Sequence, residues 1–341
     1  MNKNDSRDIL RKNKKKSKLK RILLFSTVVL CLVSIYVGSL FFQTYNAASN
    51  SYVEIKDRED KSKLRIKPVE ISNDPVSVLI LGVEDYSGEY DRGRSDTLIV
   101  ATFNPTDQTL KMLSIPRDTR VEIPDYKMDK INHAYSLGDK ELTIDTVEEF
   151  LEIPIDYYVT VNFQGFINIV DELGGVTVDV PFDFDDINGK RETFYFEEGE
   201  MTLSGEAALV YARMRKKDPR GDFGRNDRQK QIVSAVIDKL STTTALTKID
   251  DIVLEIGNNV ETNVKLGEAI TFRQKYKDFN SSKIETLNIE GYDFYQDNIY
   301  YFDPDDEKLE TLKHELQKHL EQNPATQPTT ETNKTLSSND S

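Results

Sequence analysis

Tryptophan is absent from this chain, cysteine occurs once and histidine three times. The lone thiol, Cys31, excludes a disulfide framework and any cysteine-ligated metal. In HELQKH, His314 and His319 stand five apart, about 140° round a helix, so they do not share a face as zinc-protease histidines must. No G-x-S-x-G occurs and only His133 lies near the charged motifs, so a Ser-His-Asp catalytic set lacks support. A calcium loop built on Asn188-Gly189 would need Phe184 as its first ligand, which excludes it. Positive charge is in deficit, 45 Lys and Arg against 59 Asp and Glu, for a net charge of −14 over 341 residues.

The cations that are present are unevenly placed. Residues 1–21 hold ten Lys and Arg against two Asp, and a 21-residue run without charge follows from Ile22 to Phe42. A helix of that length spans about 30 Å, the thickness of a bilayer core. A basic head could bind nucleic acid, but beside such a run it marks the cytoplasmic side, so no nucleic-acid partner is expected. The reading is a cytoplasmic head (1–21), a single-pass transmembrane anchor (22–42), a polar stem (43–74) and an exterior domain (75–321). A cleaved signal peptide ending near Ala47-Ala48-Ser49 is the alternative. Residues 322–341, rich in Thr, Ser, Asn, Gln and Pro, read as a disordered tail.

Within the domain, Ser77 to Val83, Thr97 to Phe103 and Thr109 to Ile115 read as strands, the last two a hairpin across NPTDQ. That hairpin brings Asp96 beside Arg117. Should the first strand run parallel to the third, Asp85 joins them at the edge where open α/β sheets bind ligands. Helices are expected over Thr143 to Leu151, Phe166 to Leu173 (stopped by Gly174-Gly175), Leu266 to Tyr276 and around Leu309, Leu312, Leu316 and Leu320. Strands are expected over Tyr157 to Val161, Val176 to Val180 and Ile284 to Ile289. The fold class is α/β: one layered extracytoplasmic domain with a central mixed β-sheet, preceded by one transmembrane helix. Phe163, Phe166, Ile167, Ile169 and Val170 could line a lipid channel, but ordinary core packing explains the same spacing.

One stretch reverses the acidic balance. Tyr211 to Gln229, YARMRKKDPRGDFGRNDRQ, holds seven basic residues and three acidic ones. In an extended segment Arg213 and Arg215 would leave on the same side. From Arg225 onward Ile232, Val233, Val236, Ile237 and Leu240 recur at helical spacing, and Arg225 and Gln229 fall on that apolar stripe. A buried guanidinium needs a partner. Asp218, Asp222 and Asp227 are local choices, while an excess of arginine suits a phosphate ligand.

Together with Asp85, the motifs GRSDT (Gly93 to Thr97), SIPRD (Ser114 to Asp118), KINHAY (Lys130 to Tyr135) and YARMR…DFGRNDRQ make residues 76–240 resemble the LytR-CpsA-Psr family. The resemblance implies a phosphotransferase on the outer face of a Gram-positive-type plasma membrane. It would move an anionic glycopolymer, of wall teichoic acid or capsular polysaccharide type, from an undecaprenyl-diphosphate carrier to peptidoglycan, with Mg²⁺ as cofactor. Position by position it implies Asp85 and Asp96 as metal ligands, and Arg94, Arg117, Lys130, Arg213, Arg215, Arg225 and Gln229 at the diphosphate. Asp85, Arg94 and Arg117 would serve catalysis, though Arg94 could simply orient an aspartate, and Asp222 would brace the arginines. A hydrolase, or a tethered receptor that holds the lipid without turnover, uses many of the same residues.

Overall fold

The computed structural model describes residues 49–56, 58, 60–84, 93–242 and 259–321. In chain order the strands are β1 (Val76–Val83), β2 (Ser95–Asn104), β3 (Thr109–Ser114), β4 (Arg120–Glu122), β5 (Met128–Lys130), β6 (Tyr157–Asn162), β7 (Val176–Val180), β8 (Phe184–Ile187), β9 (Thr193–Phe196), β10 (Gly199–Leu203), β11 (Val260–Thr262), β12 (Ile284–Asn288), β13 (Gly291–Gln296) and β14 (Ile299–Pro304). The helices are α1 (His133–Leu151), α2 (Phe163–Glu172), α3 (Gly205–Arg213), α4 (Asp222–Leu240), α5 (Leu266–Lys275) and α6 (Asp306–His319).

Alternation along β1 sets the layers. Leu79, Leu81 and Val83 point to one face and are buried with Leu98, Val100 and Leu113 beneath Ile144, Val147 and Leu151 of α1 and Leu312 and Leu316 of α6. Ile80 and Gly82 point to the other face, across from α2, α3 and α4. The mixed sheet has the order β11-β6-β1-β2-β3-β12. Strand β1 runs antiparallel to β2 and β2 antiparallel to β3, so β1 and β3 are parallel, as the edge argument required. Strands β6 and β12 run parallel to β1 and β3 respectively. Four strand ends therefore meet at one sheet edge.

Several expectations are refined. Gly174 and Gly175, at φ 75° and 87°, do stop α2, their amides returning to Asp171 O and Val170 O. Helix α1 starts at His133 rather than Thr143 and bends at Gly138 and Asp139, where the backbone leaves helical geometry. Arg213 is not in an extended segment; it ends α3, because Ser204 and the apolar stripe of Ala208 and Tyr211 continue a helical turn that the basic residues masked. The described part of the expected stem lies against the domain. Arg65 forks onto Asp156 at 2.9 and 2.6 Å, Arg58 and Ser62 bind Glu148, and Tyr276 donates to Ser72 O. The expected cytoplasmic head, transmembrane segment and tail lie outside the described residues, and among those described no helix is long and apolar enough to cross a membrane.

Candidate functional site: an apolar cavity with a charged mouth

Between the sheet and the layer of α2, α3 and α4 lies a cavity of about 720 Å³, within the ~300–1,000 Å³ of ligand pockets. Its walls are Ile80 and Ile99 from the sheet, Phe163, Phe166 and Ile169 from α2, and Ile232, Val233 and Val236 from α4. Phe163, Phe166 and Ile169 thus border open space, although Val170 and Phe166 also pack into the core beneath α3, as expected of a core stripe. Spacing alone does not distinguish the two, since both demand the same apolar stripe.

Charge gathers at the end of the cavity nearest the strand ends. Asp96 reaches it through a bulge: the β1–β2 register passes from Gly82↔Thr97 to Val83↔Ser95, so Asp96 has no opposite residue. In a regular strand Asp96 would share the core face with Leu98. The extra residue turns it onto the cavity. Its Oδ1 accepts a 2.6 Å hydrogen bond from Arg117 Nη1, and both side chains are about one quarter exposed. Burial works against the Arg117 charge, but Asp96 outweighs it and the guanidinium is held above its usual pKa.

Helix α4 delivers Arg225, 5% exposed, and Gln229, 7% exposed, as its apolar stripe predicted. Burial lowers the pKa of Arg225; Asp222, at 3.0 Å, opposes this, and nearby Arg117 adds to it. Asp222 also meets Arg215 at 3.3 Å, bracing two arginines at once. Arg213 pairs with Glu84 at 3.1 Å and covers the Phe163 ring at 4.4 Å. Four atoms here are buried without a hydrogen-bond partner among the described residues: Arg117 Nε, Arg225 Nε, Gln229 Oε1 and Asp222 Oδ1, of which Arg117 Nε has Asp118 at 3.6 Å and Asp222 Oδ1 has its two arginines as ion-pair neighbours. Leaving a buried charged donor unpaired costs more than the ~1–3 kcal/mol of a neutral group, so the two arginines are built for an anion that enters from the cavity. Gln229 donates to Ala212 O, and its free atom is an acceptor suited to a hydroxyl.

Not every expected residue lines the cavity. Lys130 is engaged with Asp118 at 2.7 Å, and Asp118 approaches Arg117 Nε at 3.6 Å, so Lys130 stands one step behind the mouth. Asp118 was missed as a participant, although it closes the SIPRD motif. Arg94 is exposed and forms no ion pair with a described residue, so it does not orient Asp96. Arg228 and Arg220 belong to the fold: Arg228, 1% exposed, is saturated by Asp218, Met214 O and Tyr211 O, and Arg220 meets Asp227 at 2.6 Å. Asp85 lies outside the described residues. Among the described residues no three His, Cys, Asp or Glu side chains converge as a metal cage. Asp96, with one oxygen on Arg117, still suits a hard cation that takes one or two carboxylates and fills its remaining positions with water and phosphate oxygens.

The model of the LytR_cpsA_psr family matches residues 38–318. The chain is 49% identical over 315 residues, 90% of its length and 80% of the relative's, to the polyisoprenyl-teichoic acid–peptidoglycan teichoic acid transferase TagV of Bacillus subtilis strain 168. It is also similar to the crystal structure of B. subtilis TagV, with a TM-score of 0.68 and 51% identity over 74% of this chain and all of that one. A LytR-CPS2A-psr family protein, YwtF (TagT), solved with bound octaprenyl pyrophosphate lipid, aligns with a TM-score of 0.64 and 34% identity over 79% of this chain and all of that one.

Proposed function

The chain belongs to the LytR-CpsA-Psr family, and from that premise we propose that it transfers an anionic glycopolymer of teichoic acid type from an undecaprenyl-diphosphate carrier to peptidoglycan. The observation that carries the reading is the two-zone site: an apolar cavity whose mouth holds Arg117 Nε and Arg225 Nε, both buried and without a hydrogen-bond partner among the described residues. A polyprenyl chain fits the first zone and a diphosphate the second. The relative solved with octaprenyl pyrophosphate supports the same ligand class.

In the reaction, a hydroxyl of the acceptor sugar attacks the polymer-proximal phosphorus. A phosphodiester to peptidoglycan forms, the P–O–P bond breaks, and undecaprenyl phosphate leaves. Arg117 and Arg225 hold the diphosphate oxygens, Arg213 and Arg215 lie at the rim, and Asp222 fixes the orientation of Arg215 and Arg225. These donors are already oriented, so they stabilise the charge as it develops without reorganising, and the apolar walls strengthen the attraction by excluding water. Asp96, with Asp85, would hold Mg²⁺, which when bound supplies further neutralisation of the diphosphate. Asp85 is the candidate to accept the acceptor's proton. The same reading places residues 22–42 in the plasma membrane, with the head inside and the domain outside.

The test uses the full chain in detergent with a lipid diphosphate-linked saccharide and a peptidoglycan oligomer, with and without chelator. Sugar joined to the oligomer by a phosphodiester is expected only with metal. Arg225→Lys keeps the charge but loses the fork, and should lower kcat/KM by roughly 10- to 100-fold. Release of sugar phosphate at one rate with or without the oligomer would show a hydrolase instead.

A further inference from the structure

Residues 291–304, GYDFYQDNIYYFDP, form the hairpin β13–β14 and carry six aromatic side chains and three aspartates with no cation. The core accounts for one of these rings: Phe302 is buried and meets Phe223 edge-on at 5.6 Å. Tyr292 and Tyr295 are 64% and 66% exposed. Tyr292 lies on the other side of the hairpin from Tyr295 and donates to Asp305 Oδ2 at 2.6 Å, which leaves Tyr295, beside Tyr300, as the open ring of a candidate binding face.

Directly opposed residues share a side, so Asp293, Tyr295, Tyr300 and Phe302 lie on one face. There the Tyr295 and Tyr300 rings meet at 5.5 Å, and the Tyr300 hydroxyl donates to Asp293 Oδ1 at 3.0 Å. This face runs into the site. Phe302 abuts Phe223, the chain neighbour of Asp222. The Tyr300 hydroxyl is held above its usual pKa first by burial and by Asp293, then by Asp118 and Asp222, the two carboxylates that hold the site's cations. On the opposite face Tyr301 lies under Lys130 at 5.6 Å and Phe294 under Arg120 at 4.9 Å, which fixes the hairpin to β4 and β5.

Resting on the transferase reading above, we propose that Tyr295, Tyr300 and Asp293 form the acceptor subsite, seating an uncharged stretch of the peptidoglycan glycan backbone so that a sugar hydroxyl reaches the Asp96–Arg117 mouth. A pyranose ring offers a C–H face to an aromatic ring and a hydroxyl edge to a carboxylate, and this face supplies both. Charge assigns the occupant. Asp293 and Asp297 form no ion pair with a described residue, unlike Asp303 of the opposite face, which meets Arg120 at 3.5 Å, and these two carboxylates repel the anionic donor polymer, whereas the arginines at the mouth attract its diphosphate. The two substrates therefore enter from sides of opposite sign.

The full chain in detergent micelles is titrated calorimetrically with a neutral N-acetylglucosamine tetramer and assayed with varied peptidoglycan oligomer at saturating lipid donor. Tyr295→Ala should weaken tetramer binding about tenfold, one stacked ring's worth. It should raise KM for the oligomer by a similar factor, while affinity for the lipid donor moves by about twofold at most. Tyr295→Phe, which keeps the ring, should restore both. Equal tetramer affinity in the parent and in Tyr295→Ala, or an unchanged KM for the oligomer, overturns the subsite. Ring-dependent tetramer binding in a parent chain that transfers nothing supports the glycan site while removing the transferase reading.

Discussion

Arg225 and Arg228 lie three residues apart on α4, are both buried, and have opposite fates. Arg228 spends its donors on Asp218 and on the Met214 and Tyr211 carbonyls, while Arg225 keeps Nε unpaired among the described residues. The first is therefore a fold residue and the second a ligand residue. Asp218→Asn should leave the Arg228 charge uncompensated and cost roughly 3–5 kcal/mol, read from denaturant midpoints. The pKa of Asp218 is lowered: burial raises it, but the Arg220 amide and Arg228 outweigh that. Its contribution is thus complete above the ordinary carboxylate range and is lost as pH falls below that range through the depressed value. Parent stability should show that acid limb, and the Asn variant should lack this part of it.

At the scale of the element, the close approach of the Asp218 loop to the first turn of α4 depends on Gly224. A Cβ there would stand 1.8 Å from Asp218 Oδ2, and the carboxylate cannot withdraw without releasing Arg228. Gly224→Ala, ordinarily favourable in a helix, should here destabilise by about 3 kcal/mol. It should also be non-additive with Asp218→Asn, because both break one contact. The β1–β2 bulge is a second device of this kind. A hairpin is legible from two apolar runs and a turn, but a one-residue register slip is not, because both registers satisfy the same local pattern.

Over the whole molecule, the described residues between 49 and 74 act as a strap. Arg58 and Arg65 satisfy Glu148 and Asp156, whose side chains are 5% and 3% exposed. A chain beginning at Pro75 would bury both carboxylates unpaired. It should unfold at markedly lower denaturant or fail to accumulate, whereas a chain beginning at Ala48 should fold. The proposed topology has its own check: protease added to intact protoplasts should remove the domain while cytoplasmic controls survive, and survival of the domain would reverse the orientation.

Periodicity and local pairing were enough to determine the α/β class with its mixed sheet, the meeting of Asp96 with Arg117 across one hairpin, and the inward aim of Arg225 and Gln229. Each depends on residues close in the chain or on one repeating stripe. Tertiary structure alone decided which cations at the site are engaged, since Glu84 reaches Arg213 and Asp118 reaches Lys130 across separate elements. It alone decided that the α2 face borders a cavity as well as a core. An apolar stripe records that a side chain avoids water, whereas the gap it faces is set by how far α2, α3 and α4 stand from the sheet, and no local pattern encodes that distance.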